Sequence, residues 1–355
     1  MTMNAKQNYK WNELTMGNCY YPEHWDKKRW ADDLDRMKKT GISVIRIAEF
    51  AWSKVEPEEG VFTYDFFDEF LDLCSEKQMK VIFGTPTATP PAWLTEKYPE
   101  VLNARKDGVL LRHGGRRHYN YNSPVYQRLC ARVVEREAAH YAKHPAIVGW
   151  QIDNEINCEV NEFYSEADSV VFREFLRKQY GTLEKLNEAW GTTFWNQTYT
   201  EWDHIYVLRP VLSQGINPHQ HLDYIRFISE SARHFCKMQA EIISKYKKDG
   251  DYITTNGMFW NLDNHKMAEE CLDVYTYDSY PSFAFGLNRD PKTAKDLNDR
   301  HWSKNLTEVR SICPHFGIME QQSGGGGWNT RLLQPAPKPG QLRLWSFQSI
   351  AHGAD

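Results

Sequence analysis

Excess positive charge, paired cysteines and long apolar runs are all absent from this 355-residue chain. Its 43 lysines and arginines are outnumbered by 47 aspartates and glutamates, which excludes a nucleic-acid binder that relies on overall basic charge. No stretch reaches the roughly 18 to 20 apolar residues needed to span a bilayer, and the opening MTMNAKQNYKWNEL lacks the apolar part of a signal peptide. We therefore expect a soluble, cytoplasmic protein with no nucleic-acid or membrane partner.

The cysteines and histidines form no local metal-binding pattern. The chain has 7 cysteines, an odd number, and no two of them have the CxxC spacing. This argues against a disulfide framework and against a zinc site built from neighbouring residues. The 13 histidines contain no HExxH motif or other close ligand pair. The sequence predicts reduced thiols, no metal and no cofactor.

Aromatic residues, by contrast, are abundant. The chain contains 13 Trp, 19 Tyr and 17 Phe, which together make 14% of its residues. Aromatic side chains fill hydrophobic cores, and their flat rings also stack on the apolar faces of sugars. Composition does not separate these two uses, and core packing is the expectation for most of them.

Short apolar segments alternate with amphipathic helical patterns along the chain, which is typical of a parallel sheet. No GxGxxG or GxxxxGK[ST] pattern follows the first strand, so a closed (β/α)8 barrel is favoured over an open nucleotide-binding sheet. We predict one catalytic barrel domain over 1–355, with a mostly helical excursion at about 156–250. The seven predicted strands lie at 16–21, 43–48, 80–84, 146–152, 252–255, 272–277 and 315–319.

Two glutamates lie at or just after the ends of predicted strands. Glu155 follows the fourth strand and Glu320 ends the seventh. Because active sites of barrels lie at the carboxyl ends of the strands, both side chains are expected at the same mouth. A single glutamate at a strand end is usually solvated or in a salt bridge, but two on these strands suggest the carboxylate pair that glycoside hydrolysis requires.

Five motifs resemble those of glycoside hydrolase family 42, which consists mostly of bacterial β-galactosidases. The similarity extends from about residue 16 to the end of the chain. The motifs are YYPEHW at 20–25, RIAEFAW at 46–52, RRHYNYNSP at 116–124, GWQIDNE at 149–155 and MEQQSGGGGW at 319–328. The resemblance implies a (β/α)8 TIM barrel and retaining hydrolysis of terminal β-D-galactose from small galactosides.

The resemblance also implies roles for single residues. Glu155 would be the general acid/base and Glu320 the nucleophile, with a nearby Arg117 helping to keep Glu320 ionised. Of the adjacent Arg116 and Arg117, one is expected to be a surface charge. Roles for Glu23, His24 and Glu49 are left open. Contacts to the sugar are implied for Arg117, Asn154, Trp328 and Tyr280.

The sequence departs from the family in two ways. Some members bind zinc through four cysteines, but here Asn120 occupies the first of these positions and only Cys158 follows Glu155 closely. One thiol cannot form a tetrahedral sulfur site, so we predict no structural zinc. Family enzymes also continue past position 355, with an eighth strand, a domain that contributes to a homotrimer and a small β domain. We therefore expect an incomplete barrel of low stability.

Two other functions remain open from the sequence. A related glycosidase such as an arabinopyranosidase would act on a sugar with the same ring hydroxyl geometry. A carbohydrate-binding fragment without activity would follow if the parts expected beyond position 355 were required for catalysis.

Overall fold

The computed structural model of this chain describes residues 9–211, 216–281, 299–324 and 337–355. Within these residues, strands and helices alternate. The strands are β1 (Gly17–Cys19), β2 (Val44–Ile47), β3 (Lys80–Gly84), β4 (Ile147–Gln151), β5 (Tyr252–Thr254), β6 (Thr276–Ser279) and β7 (Gly317–Gln321). The helices are α1 (Trp30–Lys39), α2 (Trp52–Val55), α3 (Asp65–Glu76), α4 (Ala92–Lys97), α5 (Pro124–Tyr141), α6 (Glu166–Tyr180), α7 (Leu183–Trp190), α8 (Pro218–Ser244), α9 (Asn264–Cys271), α10 (Asp299–Ile312) and α11 (Gln341–Ala351).

All seven strands run parallel, and each lies beside the next one in the chain. Strands β1 to β5 form one sheet in chain order, and β6 pairs with β7. The two sheets meet where the Asp273 amide donates to the Ile253 carbonyl at 2.9 Å and the hydroxyls of Thr254 and Thr276 lie 3.2 Å apart. This order, with helical crossovers, confirms the α/β fold of a (β/α)8 barrel. The described residues contain seven strands and no eighth.

Most of the aromatic residues serve the core. Six tryptophans are almost fully buried, and the buried face of α3 carries Phe67, Phe70 and Leu71 at the helical spacing that the sequence predicts. Ring pairs such as Phe83 and Trp150, with centroids 5.3 Å apart, join neighbouring strands. The buried tryptophans are Trp30, Trp52, Trp150, Trp190, Trp302 and Trp345.

The sixth strand differs from its prediction. It begins at Thr276 and ends at Ser279, whereas the apolar pattern predicts a strand over 272–277. Leu272 is extended but caps the end of α9, and Val274 is buried without joining the ladder. The apolar run therefore predicts which residues are buried, but not where the strand lies. The strand itself begins later and ends in the polar residues Asp278 and Ser279 at the mouth of the barrel.

Between β4 and β5 lie helices α6, α7 and α8, and this part of the chain contains no strand in its described residues. None of the helices in the described ranges has both the length and the apolar character that crossing a bilayer requires.

Helix α5 buries a carboxyl group that lacks a partner. Glu137 is fully buried, and neither of its oxygens has a hydrogen-bond donor among the described residues. Burial, and then the charge of Glu56, holds the pKa of Glu137 well above its usual value. Because the unfolded chain ionises this group more easily, the contribution of Glu137 to stability is greatest at low pH. It falls as the pH rises above about 4.3, the ordinary pKa of glutamate.

Replacing Glu137 by methionine should therefore stabilise the protein at pH 8 and have less effect at pH 4. We expect the free energy of unfolding at pH 8 to rise by about 2 kcal/mol, because a buried polar group without a partner is removed. Urea denaturation at the two pH values measures this. The same substitution of the exposed Glu135 is the control. A gain that is equal at both pH values would contradict the explanation.

Candidate active site

Three carboxyl groups meet at the carboxyl ends of the strands. Glu155 follows β4, Asp278 lies in β6 and Glu320 lies in β7. One oxygen of each lies within 4.8 Å of an oxygen of the others. The structure thus brings together the two glutamates that the sequence singles out, and adds an aspartate. An oxygen-to-oxygen approach within 4.8 Å fits the roughly 5 to 5.5 Å between the carboxyl groups of retaining glycosidases better than the roughly 6.5 to 9.5 Å of inverting ones.

The loop after β4 presents Glu155 through a strained backbone. Asp153, Glu155 and Asn157 have φ values of 53°, 49° and 66°, in the left-handed region that residues other than glycine rarely adopt. Side chains from neighbouring strands hold this conformation. The Asp153 amide donates to Thr85 Oγ1 at 2.7 Å, and the Glu155 amide donates to Asn256 Oδ1 at 2.9 Å. Strain that is compensated in this way is typical of functional sites.

Glu320 is surrounded by hydrogen-bond donors. Arg46 Nη2 donates to its Oε1 at 2.6 Å, Tyr280 OH donates to its Oε2 at 2.5 Å, and Asn256 Nδ2 lies 3.2 Å from Oε1. Burial alone would raise the pKa of Glu320. The charge of Arg46 and the hydrogen bonds from Tyr280 and Arg46 outweigh burial, so the pKa lies below its usual value. Glu320 is therefore ionised at neutral pH.

The cation beside Glu320 is not the one predicted. The sequence suggested Arg117, but the Arg117 guanidinium donates to Asp153 Oδ1 at 2.6 Å, whereas Arg46 contacts Glu320. That prediction is wrong. Arg117 lies on the loop before α5, where its guanidinium forms an ion pair with Asp153, the carboxylate that follows β4. Arg46 projects from β2 into the barrel and reaches the end of β7.

Arg46 is itself held by buried partners. It is 2% exposed; its Nε donates to Glu49 Oε1 at 2.7 Å and its Nη1 to Gln151 Oε1 at 3.1 Å. Tyr21 OH donates to the same Glu49 oxygen at 2.8 Å. Gly84 leaves room for Glu49, because a Cβ at that position would lie 2.6 Å from the Glu49 Cβ. Glu49, whose role the sequence leaves open, contacts the Arg46 side chain that reaches Glu320.

Glu155 has the opposite electrostatic environment. Burial, and then the negative charge of Glu320, raises the pKa of Glu155, and the nearby charge of Arg116 only partly opposes this. Arg116 Nη2 lies 2.6 Å from Glu155 Oε2. Asn154 Nδ2 donates to the same oxygen at 3.3 Å. One carboxyl of the pair therefore favours its proton while the other favours ionisation, which is the division of roles that acid and nucleophile require.

Arg116 is not a surface charge. Its side chain is 13% exposed, and it forms ion pairs with Glu155 and with Glu159. The expectation was wrong because Arg117 adopts a φ of 67°, which lets the two consecutive arginines point to different carboxylates.

Arg117 lies beside the glutamate pair, with unused donors. It is 2% exposed, and its Nε and Nη2 have no hydrogen-bond partner among the described residues. Asp153, which accepts from the remaining nitrogen, is also fully buried and accepts from Thr87 Oγ1 at 2.6 Å. Arg117 is therefore rigidly held, and two of its nitrogens are buried without a partner among the described residues.

Of the other residues predicted to contact the substrate, the structure describes Asn154 and Tyr280. The Asn154 Oδ1 accepts from Asn256 Nδ2 at 3.1 Å, so its side chain lies between the ends of β4 and β5. Tyr280 contacts Glu320, as described above. Trp328 lies outside the described residues.

Several residues of the site were missed by sequence reasoning. Asn256 and Asp278 are joined by a 2.8 Å hydrogen bond from Asn256 Nδ2 to Asp278 Oδ2. Both lie at the ends of strands, so the same rule that selected the glutamates could have found them. Arg46 also carried a signal, because a charged residue within the otherwise apolar β2 requires a buried partner.

Asn120, at the first of the zinc-ligand positions that the family resemblance implies, belongs to a polar cluster around Asp168. Asp168 accepts from Asn120 Nδ2 at 2.9 Å, from Asn122 Nδ2 at 2.7 Å and from Ser165 Oγ at 2.7 Å. Cys158 lies instead against Arg116, with its Sγ 3.8 Å from Nη2. Amide, hydroxyl and carboxylate groups that satisfy one another do not fit a thiolate zinc site. The lack of a structural zinc stays a prediction.

Comparisons with known proteins extend over nearly the whole chain. The sequence profile of glycoside hydrolase family 42, described as beta-galactosidase, matches residues 19–355. A beta-galactosidase of Thermus thermophilus is 39% identical over an alignment 354 residues long. The alignment covers 96% of this chain and 53% of that protein. The chain spans about half the length of the curated relatives it matches.

Two solved beta-galactosidase structures are also similar to this chain over nearly its whole length. The polyextremophilic beta-galactosidase of Halorubrum lacusprofundi superposes with a TM-score of 0.90 at 35% identity, over 96% of this chain and 52% of that one. The beta-galactosidase of the psychrophilic Marinomonas ef1 superposes with a TM-score of 0.87 at 36% identity, over 96% and 53% of the two chains.

Proposed function

Because the chain belongs to glycoside hydrolase family 42, we propose that it carries the catalytic barrel of a retaining β-galactosidase. One observation supports this most strongly. Glu155 and Glu320 have carboxylate oxygens within 4.8 Å of each other, and their surroundings move their pKa values in opposite directions. Such a pair is suited to a double displacement at an anomeric carbon.

In the first step, Glu320 attacks the anomeric carbon of a terminal β-galactoside. The bond from that carbon to the glycosidic oxygen breaks, and Glu155 gives its proton to the departing oxygen. In the second step, Glu155 removes a proton from water, and the resulting hydroxide attacks the same carbon. The bond to Glu320 breaks, which frees the nucleophile, and β-galactose leaves with its configuration retained.

The remaining residues would bind the sugar. Arg117 acts on the charge of Glu155 and has two buried nitrogens without a partner, which supports its assignment to the galactose subsite. Asn154 would donate to the 2-hydroxyl, and Tyr280 would release Glu320 as the nucleophile bonds to the sugar. Trp328 would pack on the apolar sugar face. A neutral galactoside needs no electrostatic steering, which suits a chain with a net charge of −4.

The broader features follow from the same proposal. We infer a single catalytic barrel domain over 1–355, an enzyme that works in the cytoplasm, and a homotrimer for the longer relatives. Size-exclusion chromatography with light scattering measures the mass of the assembly. A mass of about 41.7 kDa would show that this chain by itself is a monomer.

The proposal is tested by the stereochemistry of hydrolysis. The protein is given an aryl β-D-galactoside, and the first sugar product is followed by proton NMR before the anomers equilibrate. We expect β-galactose, with slower hydrolysis of the matching aryl α-L-arabinopyranoside, which lacks the hydroxymethyl group. An α-galactose product would overturn the assigned roles. Absence of hydrolysis, both by this chain and by one extended to the length of its relatives, would overturn the enzyme assignment.

A further inference from the structure

We propose that Gln239, on helix α8, is a positioning residue for the sugar-binding side of the active site. It fixes the directions of two threonine hydroxyls that hold Asp153, and Asp153 in turn holds the guanidinium of Arg117. The inference rests on the proposed function, because it names a residue that supports the galactose subsite from outside that subsite.

Gln239 is the polar side chain through which α8 contacts the loop after β3. It is fully buried, on a face of α8 that is otherwise mainly apolar. Its Oε1 accepts from Thr85 Oγ1 at 2.7 Å, and its Nε2 lies 3.3 Å from Thr87 Oγ1. Both threonines are also buried. A buried amide that has one partner for its oxygen and one for its nitrogen is held in a single orientation.

The two threonine hydroxyls connect Gln239 to Asp153. Thr85 Oγ1 accepts from the Asp153 amide at 2.7 Å, so its one proton goes to Gln239 Oε1. Thr87 Oγ1 donates its proton to Asp153 Oδ2 at 2.6 Å, so the same oxygen accepts from Gln239 Nε2. One hydroxyl therefore accepts from Asp153 and the other donates to it, and the Gln239 amide supplies the acceptor and the donor that this order requires.

Asp153 carries this order into the active site. Its φ of 53° begins the strained segment that presents Glu155, and its Oδ1 accepts from Arg117 Nη1 at 2.6 Å. The Nε and Nη2 of Arg117 have no partner among the described residues, so protein contacts hold the guanidinium through Nη1, by Asp153 and the hydroxyls of Tyr119 and Tyr121. Asp153 is the charged partner and so the strongest of the three. A displacement of Asp153 therefore displaces Arg117.

Gln239→Met tests this chain of contacts, because methionine has a similar length and no amide. We expect kcat/KM for aryl β-galactosides to fall by about 10- to 100-fold, since a small displacement of a binding group is enough for such a loss. The dissociation constant of galactose, measured by calorimetry, should rise as well. Because the effect lies on the sugar and not on the departing group, dinitrophenyl and phenyl galactosides should lose equally. A much larger loss for the phenyl substrate would overturn the proposal.

Ser231→Ala is the matched control on the same helix. Ser231 is buried as well, but its hydroxyl donates to the Phe227 carbonyl of α8 itself at 2.9 Å. The variant therefore loses a buried hydroxyl without a change near Asp153, and its kcat/KM should equal that of the wild type. A loss as large as that of Gln239→Met would overturn the proposal, because any disturbance of α8 would then be sufficient.

A double-mutant cycle separates positioning from lost stability. Thr87→Val removes the hydroxyl that lies between Gln239 and Asp153, whereas Thr87→Ser keeps it and should retain most of the activity. If Gln239 acts through Thr87, the loss in the double variant Gln239→Met with Thr87→Val should be clearly smaller than the product of the two single losses. A loss equal to that product would overturn the proposal.

Nitrogen-15 NMR of the Arg117 Nε distinguishes failure of this inference from failure of the proposed function. The signal is identified by its loss in Arg117→Lys. Its heteronuclear NOE, which reports fast motion, should fall in Gln239→Met and stay at the wild-type value in Ser231→Ala. A lower NOE supports the inference even if no galactoside is hydrolysed, and an unchanged NOE would overturn it even in an active enzyme. If Gln239→Met does not fold, the same two outcomes in Thr87→Val decide the question.

Discussion

Glu320→Ala should abolish turnover of aryl β-galactosides. The loss in kcat is expected to be on the order of 10⁶-fold, because the variant cannot form the covalent intermediate. The substitution also vacates space beside the anomeric carbon and removes the group that Arg46 and Tyr280 contact. Steady-state hydrolysis of a dinitrophenyl β-galactoside measures the loss.

Azide should restore turnover in this variant and reveal the role of the missing group. A small anion can enter the space that Glu320 leaves and attack the anomeric carbon from that side. The dinitrophenolate departs without needing an acid, and the product is α-galactosyl azide through a single inversion. Proton NMR identifies the anomer.

Glu155→Ala is the matched control, because it removes the other carboxyl of the same pair. Here Glu320 still forms the galactosyl enzyme, and azide enters from the side that Glu155 vacates, so the product should be β-galactosyl azide. Opposite anomers from the two variants would support the assignment of nucleophile and acid/base. The same anomer from both, or β-galactosyl azide from Glu320→Ala, would contradict it.

Both glutamates could be predicted from the sequence because a simple rule connects the apolar pattern of a strand with the position of the residue that follows it in the barrel. An apolar run that ends in a polar residue puts that residue at the rim of a parallel barrel, whatever the details of packing. The rule works for Glu155 and Glu320 although they are far apart in the chain. It required only the approximate ends of the strands, and the error in the start of β6 did not affect it.

The partners of the glutamates depend on information that no local pattern contains. Arg46 in β2 contacts Glu320 in β7 although these two strands do not pair in the described residues, and its bond to Gln151 depends on the register of β2, β3 and β4. Arg116 and Arg117 are adjacent and chemically identical. In the structure Arg116 contacts Glu155 and Arg117 contacts Asp153, and Arg117 has a left-handed backbone that arginine does not favour by itself.

Arg46→Met should damage stability and catalysis together. Arg46 is 2% exposed and contacts two carboxylates, so its removal leaves the buried Glu49 and the mostly buried Glu320 without the cation in contact with them. Breaking a buried ion pair from one side costs about 3 to 5 kcal/mol. We expect a loss of this size in urea denaturation at pH 7. Arg36→Met, in an exposed pair with Asp32, should cost much less.

The pH dependence of the same variant separates lost folding from a changed nucleophile. The pKa of Glu320 is now held low, against burial, chiefly by Arg46, so the variant should ionise Glu320 only at higher pH. The acid limb of kcat/KM should therefore move up, while the alkaline limb, which reports Glu155, moves less. Arg46→Lys keeps the charge but loses the forked contact with Glu49 and Glu320, and should lie between the wild type and Arg46→Met in both stability and acid limb. An acid limb that stays in place in folded Arg46→Met would show that Tyr280 and Asn256 are sufficient to keep Glu320 ionised.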